Sequence, residues 1–119
     1  MYEKKDKKNI SLCKKNFNFL KHINSLNSKQ KKKYINFIST KSEINSVIEI
    51  FINFLNRNIK CRKGFLNSIK KHKKHFFKIT KKSNSLNKKK KLLTSKVGGF
   101  LLQSILGIAI PLLTRMFMN

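Results

Sequence analysis

No aspartate or glutamate follows Glu49. The whole chain holds 4 acids against 29 lysines and arginines, a formal net charge of +25 over 119 residues. This imbalance constrains the fold more than any motif does. Like charges oppose compaction, so the apolar segments must supply a core and the cations must stay outside it. It also points to a polyanionic partner, with nucleic acid first and an anionic membrane surface second. Solubility alone needs far less charge. Almost all of it is lysine, the arginines being Arg57, Arg62 and Arg115. An ammonium is a flexible point charge without the planar fork that reads guanine bidentately. The expectation is phosphate neutralisation without sequence preference.

The apolar residues are spaced for helices. Leu12, Phe19, Ile23 and Leu26 recur at helical intervals between residues 10 and 26, with Phe17 and Leu20 widening the stripe. Asn27-Ser28 breaks the pattern, and a short helix capped by Ser28 runs from there to Ser39. Lys29, Lys31, Lys32 and Lys33 crowd its first turn. Positive charge there opposes the macrodipole, so this start is expected to fray unless an anion sits on it. Thr40 and Glu43 have capping-box spacing. The stretch they open carries Ile44, Val47, Ile48, Phe51 and Leu55 on one face and more apolar residues around it, as a central bundle helix does. A connector bracketed by Arg57-Asn58 and Gly64 leads to a second amphipathic pattern over residues 65–80. Phe65, Ile69, His72, Phe76 and Ile79 share its apolar face, opposite a face of lysines. A Ser/Asn-rich loop and a short basic helix over residues 86–94 follow.

The predicted class is mostly α, a small irregular helical bundle with a basic amphipathic helix and an apolar C-terminal helix. The predicted organisation is a disordered basic tail (1–9), a helical bundle (10–60), a lysine-rich helical region (61–97), and a Gly-Gly hinge with an apolar tail (98–119). A core this small under this charge is expected to be marginal.

Catalytic chemistry finds no support. Glu3, Asp6, Glu43 and Glu49 form no carboxylate pair, and no P-loop or nucleophile–base arrangement occurs. The chain is expected to be a non-enzyme without a cofactor. His72 and His75 stand at i, i+3, a spacing that can share a metal, but lysines flank them and no third ligand is evident. His72 reads as a packed histidine, and no metal site is expected. Cys13 and Cys61 read as reduced, half-buried thiols of a cytosolic or nuclear protein. The nucleic-acid candidates are Lys70, Lys71, Lys73, Lys74, Lys78, Lys81 and Lys82, then Lys88, Lys89, Lys90 and Lys91. Phe76 and Phe77 interleave with the first group as stacking platforms for single strands do, yet Phe76 also completes the core stripe.

From Gly98 to Thr114 there are 17 uncharged residues. As a helix they span about 25 Å, slightly less than a hydrocarbon core, which Arg115 can extend by snorkelling. Gly98, Gly99, Gln103, Ser104, Gly107 and Pro111 make this a mediocre spanning helix. Three readings stay open: a tail anchor, a membrane-inserting peptide, and a helix that packs on the bundle or self-associates. The residues expected to touch membrane or capsid are Phe100, Leu101, Leu102, Ile105, Leu106, Ile108, Ile110, Leu112 and Leu113.

The run KKHKKHFFKITKKSNSLNKKKKLLTSKVGGFLLQSILGIAIPLL resembles the C-terminal half of small basic proteins of Polinton/Maverick elements and adintovirus-type DNA viruses. The shared order is a lysine-rich helix, a Ser-containing turn, a lysine cluster leading to Leu-Leu, Gly-Gly-Phe-Leu, and an apolar tail. Upstream, INSVIEIFINFLNRNIK is similar to that family's central helix, so the resemblance covers about residues 19–113. It implies a virion-associated protein similar to adenovirus core and membrane-active minor capsid proteins, acting in the particle and in the host nucleus or cytoplasm. The implied partners are DNA bound nonspecifically, capsid proteins, a membrane reached through the C-terminus, and a viral cysteine protease. For that protease Gly98, Gly99 and Phe100 would form the site, although Lys96 stands where an aliphatic residue is wanted. The alternatives are a membrane-active or tail-anchored minor capsid protein aiding entry, and a cellular RNA-binding or ribosomal protein.

Overall fold

The computed structural model describes residues 11–55, 67 and 70–117. The expected N-terminal tail, the connector around Gly64, Cys61, Phe65 and Ile69 lie outside the described residues. Among the described residues there are seven helices and no strand. They are α1 (Ser11–Lys15), α2 (Phe17–Ser25), α3 (Ser28–Phe37), α4 (Lys41–Leu55), α5 (Lys73–Thr80), α6 (Leu86–Thr94) and α7 (Lys96–Phe117). The predicted helical bundle with a basic helix and an apolar C-terminal helix is the observed architecture.

The first predicted helix is broken into α1 and α2 at Asn16. Its side-chain amide donates to the Leu12 carbonyl at 3.0 Å and, across to α4, to the Ser42 carbonyl at 3.2 Å and Ser42 Oγ at 3.0 Å. Local side-chain bonds of this kind compete with regular helix. Here they fasten the break to the start of α4. Asn27, not Ser28, caps α3, in a reciprocal box: Gln30 N donates to Asn27 Oδ1 at 2.8 Å and Asn27 N to Gln30 Oε1 at 3.2 Å. The Thr40–Glu43 box forms as its spacing predicts, with Thr40 N donating to Glu43 Oε1 at 2.9 Å and Glu43 N to Thr40 Oγ1 at 3.2 Å.

α4 buries Ile44, Val47, Ile48, Ile50, Phe51 and Phe54 and packs against α1, α2, α5, α6 and α7. Phe51 meets Phe76 of α5 with ring centroids 5.2 Å apart. α7 is the second central helix. Leu101, Leu102, Ile105, Leu106, Ala109, Ile110 and Leu113 are buried, while Phe100, Gln103, Gly107, Pro111 and Arg115 line the opposite face. Gly107 and Pro111 therefore sit outside the core. The Gly107 carbonyl, which Pro111 has no N–H to bond, belongs to an exposed residue that water can reach. Phe17 of α2 packs edge-on against Phe117 at 5.1 Å and pins the far end of α7.

The hinge expected at Gly98-Gly99 is instead part of α7; the chain turns one step earlier, at Ser95. Ser95 serves both helices. Its Oγ donates to the Leu92 carbonyl at 2.7 Å, closing α6, and accepts from Gly98 N at 3.1 Å, opening α7. The corner is so tight that a Cβ on Gly98 would lie 1.7 Å from the Leu92 carbonyl oxygen. At Gly99 the nearest atom would be 4.0 Å away. Gly98 is thus required by close approach and Gly99 is not.

Cys13 is fully buried rather than half-buried, and its Sγ donates to the Ser46 carbonyl at 3.5 Å. Burial, then the nearby Glu49 carboxylate, pushes its thiol up to about 12. Burial likewise raises Glu49 to about 7, although Cys13 and the Leu12 and Cys13 N–H groups at the start of α1 favour its ionised form. Glu49 therefore binds a proton more readily in the folded chain than in the unfolded one. Its contribution to stability is fully present below about 4.5 and is lost as pH rises through about 7.

Two expectations follow. Gly98→Ala lowers stability by about 1–3 kcal/mol through overpacking, whereas Gly99→Ala raises it by about 0.5 kcal/mol; denaturant midpoints distinguish them. Glu49→Gln gains stability over the parent at pH 8, by about 1 kcal/mol once solvent screening is allowed for. That difference shrinks towards pH 5, as parallel thermal melts check.

Candidate nucleic-acid interface

The lysines collect in two patches. The first surrounds the start of α5, where Lys70, Lys71, Lys73 and Lys74 are exposed around a shallow depression shared with His72, His75 and Phe77. Lys78, Lys81 and Lys82 continue it, all exposed. The amphipathic pattern explains the arrangement: Phe76 and Ile79 turn into the core, and the residues between them turn out. Phe77 stays 56% exposed with Lys73 Nζ 5.7 Å from its ring centroid, so the pair presents a flat apolar face beside a cation. Phe76 is buried and offers no stacking surface.

The second patch is a groove where α3 packs against α6. Lys32, Asn36 and Phe37 line one wall, and Asn87, Lys90, Lys91 and Thr94 the other, with Ser95 at one end. The α6 residues fall at i, i+3, i+4 and i+7, which puts them on one helical face. Phe37 is 82% exposed at this groove. Beside it, sharing Lys32, Thr94 and Ser95, lies a cavity of about 330 Å³ lined also by Ser28, Lys31, Lys96 and Phe100. Phe100 also packs edge-on against His72 with centroids 5.8 Å apart. The two patches thus meet at Phe100.

Among the described residues nothing acidic interrupts this surface. α5, α6, α7 and the segments joining them contain no carboxylate side chain. Glu43 is occupied by its capping box and Glu49 faces Cys13. The helix starts of α3 and α6 add their own partial positive charge to the lysines around them. Groups of this kind bind phosphates as a field and not as a code.

Of the eleven candidate lysines, Lys70, Lys71, Lys73, Lys74, Lys78, Lys81, Lys82, Lys88 and Lys91 are exposed. Lys90 is half-buried in the groove wall. Lys89 departs from expectation, since its Nζ donates to Asn45 Oδ1 on α4 at 2.9 Å and ties α6 to the bundle. Lys31 and Lys32 were not among the candidates, yet they line the groove and its deep end. The signal for them was the crowd of lysines on a helix start that repels cations.

The C-terminal contact residues are mostly interior. Leu101, Leu102, Ile105, Leu106, Ile110 and Leu113 belong to the core, Ile108 and Leu112 are half-buried, and Phe100 is exposed. In the folded chain they meet the bundle, because α7 segregates its apolar side chains onto one face and turns that face inward. By length and composition alone, Lys96–Phe117 is long and apolar enough to cross a membrane. The Gly98-Gly99-Phe100 segment lies in the first turns of α7, with Gly98 buried, not in the exposed loop that proteolytic nicking favours. His72 and His75 have ring centroids 6.5 Å apart. Among the described residues no group of three or more His, Cys, Asp or Glu side chains is placed to hold a metal ion.

The chain matches no protein-family model, no characterised protein and no solved structure.

Proposed function

We propose that this protein binds the phosphate backbone of DNA without sequence preference and condenses it. The single observation that carries this reading is the basic surface that reaches from the start of α5, past Phe100, to the α3–α6 groove and the cavity beside it. Lysines dominate it, exposed Phe37, Phe77 and Phe100 sit among them, and no carboxylate of the described residues competes for them. The setting we propose is a virion, with capsid proteins as neighbours, and it rests on the resemblance of residues 19–113 to Polinton/Maverick and adintovirus-type basic proteins.

Anisotropy titrations of the full chain against duplexes of unrelated sequence test it. The expected outcome is equal affinity for each, with log K falling linearly in log salt at a slope of about −5 to −9, for roughly six to ten contacts. Binding that ignores salt, or that strongly prefers one duplex, overturns it. Replacing Lys32, Lys90 and Lys91 together by Gln should flatten the slope by about 2.7, while Lys89→Gln costs stability instead. Tighter binding to RNA than to DNA under the same conditions would favour a cellular RNA-binding role.

A second reading has the length and composition of α7 in its favour. In it α7 leaves the core and enters a membrane, with the lysines on anionic lipid. It requires exposing the interior faces of α2, α4, α5 and α6. Leakage of anionic vesicles by the full chain at neutral pH supports it, and the DNA-binding reading expects none.

A further inference from the structure

We propose that the cavity at the α6–α7 corner is a discrete phosphate-binding site, filled by one backbone phosphate of the bound nucleic acid and centred on Lys31. This deepens the DNA-binding reading and rests on it for the source of the phosphate. Lys31 exposes only 6% of its surface and lines the cavity, and its ammonium makes no hydrogen bond or ion pair among the described residues. An ammonium partly stripped of water and without a protein partner carries a cost, and an anion beside it offsets that cost. Burial also lowers its pKa, which is the same penalty seen in the free protein.

The remaining walls suit an anion. α7, a 22-residue helix, starts at the cavity, and the N–H groups of Lys96 and Val97 have no carbonyl within the helix to donate to. α3 starts there too: Ser28, its first residue, lines the opposite side. Lys32 and Lys96 add two more cations. Among the described residues the C-terminal end of α6 is a nearby source of negative potential, and its Leu92 carbonyl is already taken by Ser95 N at 3.4 Å and Ser95 Oγ at 2.7 Å. Since the α3–α6 groove and this cavity share Lys32, Thr94 and Ser95, a strand lying in the groove places a phosphate within reach of it. The lysine-crowded start of α3 then gains the anion it lacks.

The test uses the full chain and inorganic phosphate at constant ionic strength, read by amide chemical shifts, followed by a short duplex. Expected are saturable shifts at Lys31, Lys32, Lys96 and Val97, and the same amides moving with duplex. Lys31→Met, which removes a buried charge and should melt no lower than the parent, is expected to weaken phosphate binding at least tenfold. Lys96→Gln, at an exposed position, provides a second variant with an expected loss of severalfold. Unsaturating shifts spread over all lysine-bearing helices, or both variants titrating like the parent, overturn the site. If phosphate saturates these amides but duplex leaves them still, the backbone phosphate is overturned as occupant and free phosphate takes its place. The two readings fail distinguishably. Duplex binding without a saturable phosphate response removes the site alone, and a saturable response without duplex binding removes the DNA-binding reading and the backbone phosphate as occupant while leaving a site for free phosphate.

Discussion

Leu101, Leu102, Ile105, Leu106 and Ala109 leave water on one face of α7, against α2, α4, α5 and α6, and the remainder of the structure depends on that burial. A fully buried aliphatic side chain contributes about 1.5–3 kcal/mol. The face as a whole therefore contributes on the order of 10 kcal/mol before entropy, as much as a small domain's entire net stability. The repulsion among the lysines has to be overcome from this source and from α4. The apolar end and the basic region are consequently not separable halves. Cutting at the glycines would remove the inner wall of the fold that carries the cations.

The corner at Ser95 makes the arrangement possible. One hydroxyl ends α6 and begins α7, and the absence of a side chain at Gly98 lets α7 pass against the Leu92 carbonyl. The same corner brings the start of α7 beside the start of α3, so a packing requirement of the core also concentrates positive potential at Lys31. Core and interface share this junction. Where α1 docks on α4, half-buried Glu49 and buried Cys13 form a pair that holds protons more readily than free side chains do.

Much of the local structure was legible. The Thr40–Glu43 box, the apolar circumference of α4, the split of α5 into Phe76/Ile79 and lysines, and the short basic α6 all follow from spacing along the chain. The misses have particular causes. Asn16 breaks the first helix because its side chain finds acceptors on Ser42, 26 residues away, which no local pattern reports. Lys89 looks like its neighbours in KKKK, and only the packing of α6 on α4 gives it Asn45 as a partner. A glycine pair reads as a flexible joint until a neighbouring carbonyl is found where a Cβ would be.

What the amino-acid sequence by itself determined is a helical chain with an excess of cations that must face outward, because charge and periodicity are properties of the chain. That the apolar C-terminal segment packs on its own bundle in the folded chain was decided by the tertiary structure alone. An apolar helix face is satisfied by any dry surface, and only the packing of α2, α4, α5 and α6 supplies one within the same molecule. The tertiary structure likewise decided which lysines stand together, since Lys31 and Lys32 join Lys90, Lys91 and Lys96 through the contact of α3 with the α6–α7 corner.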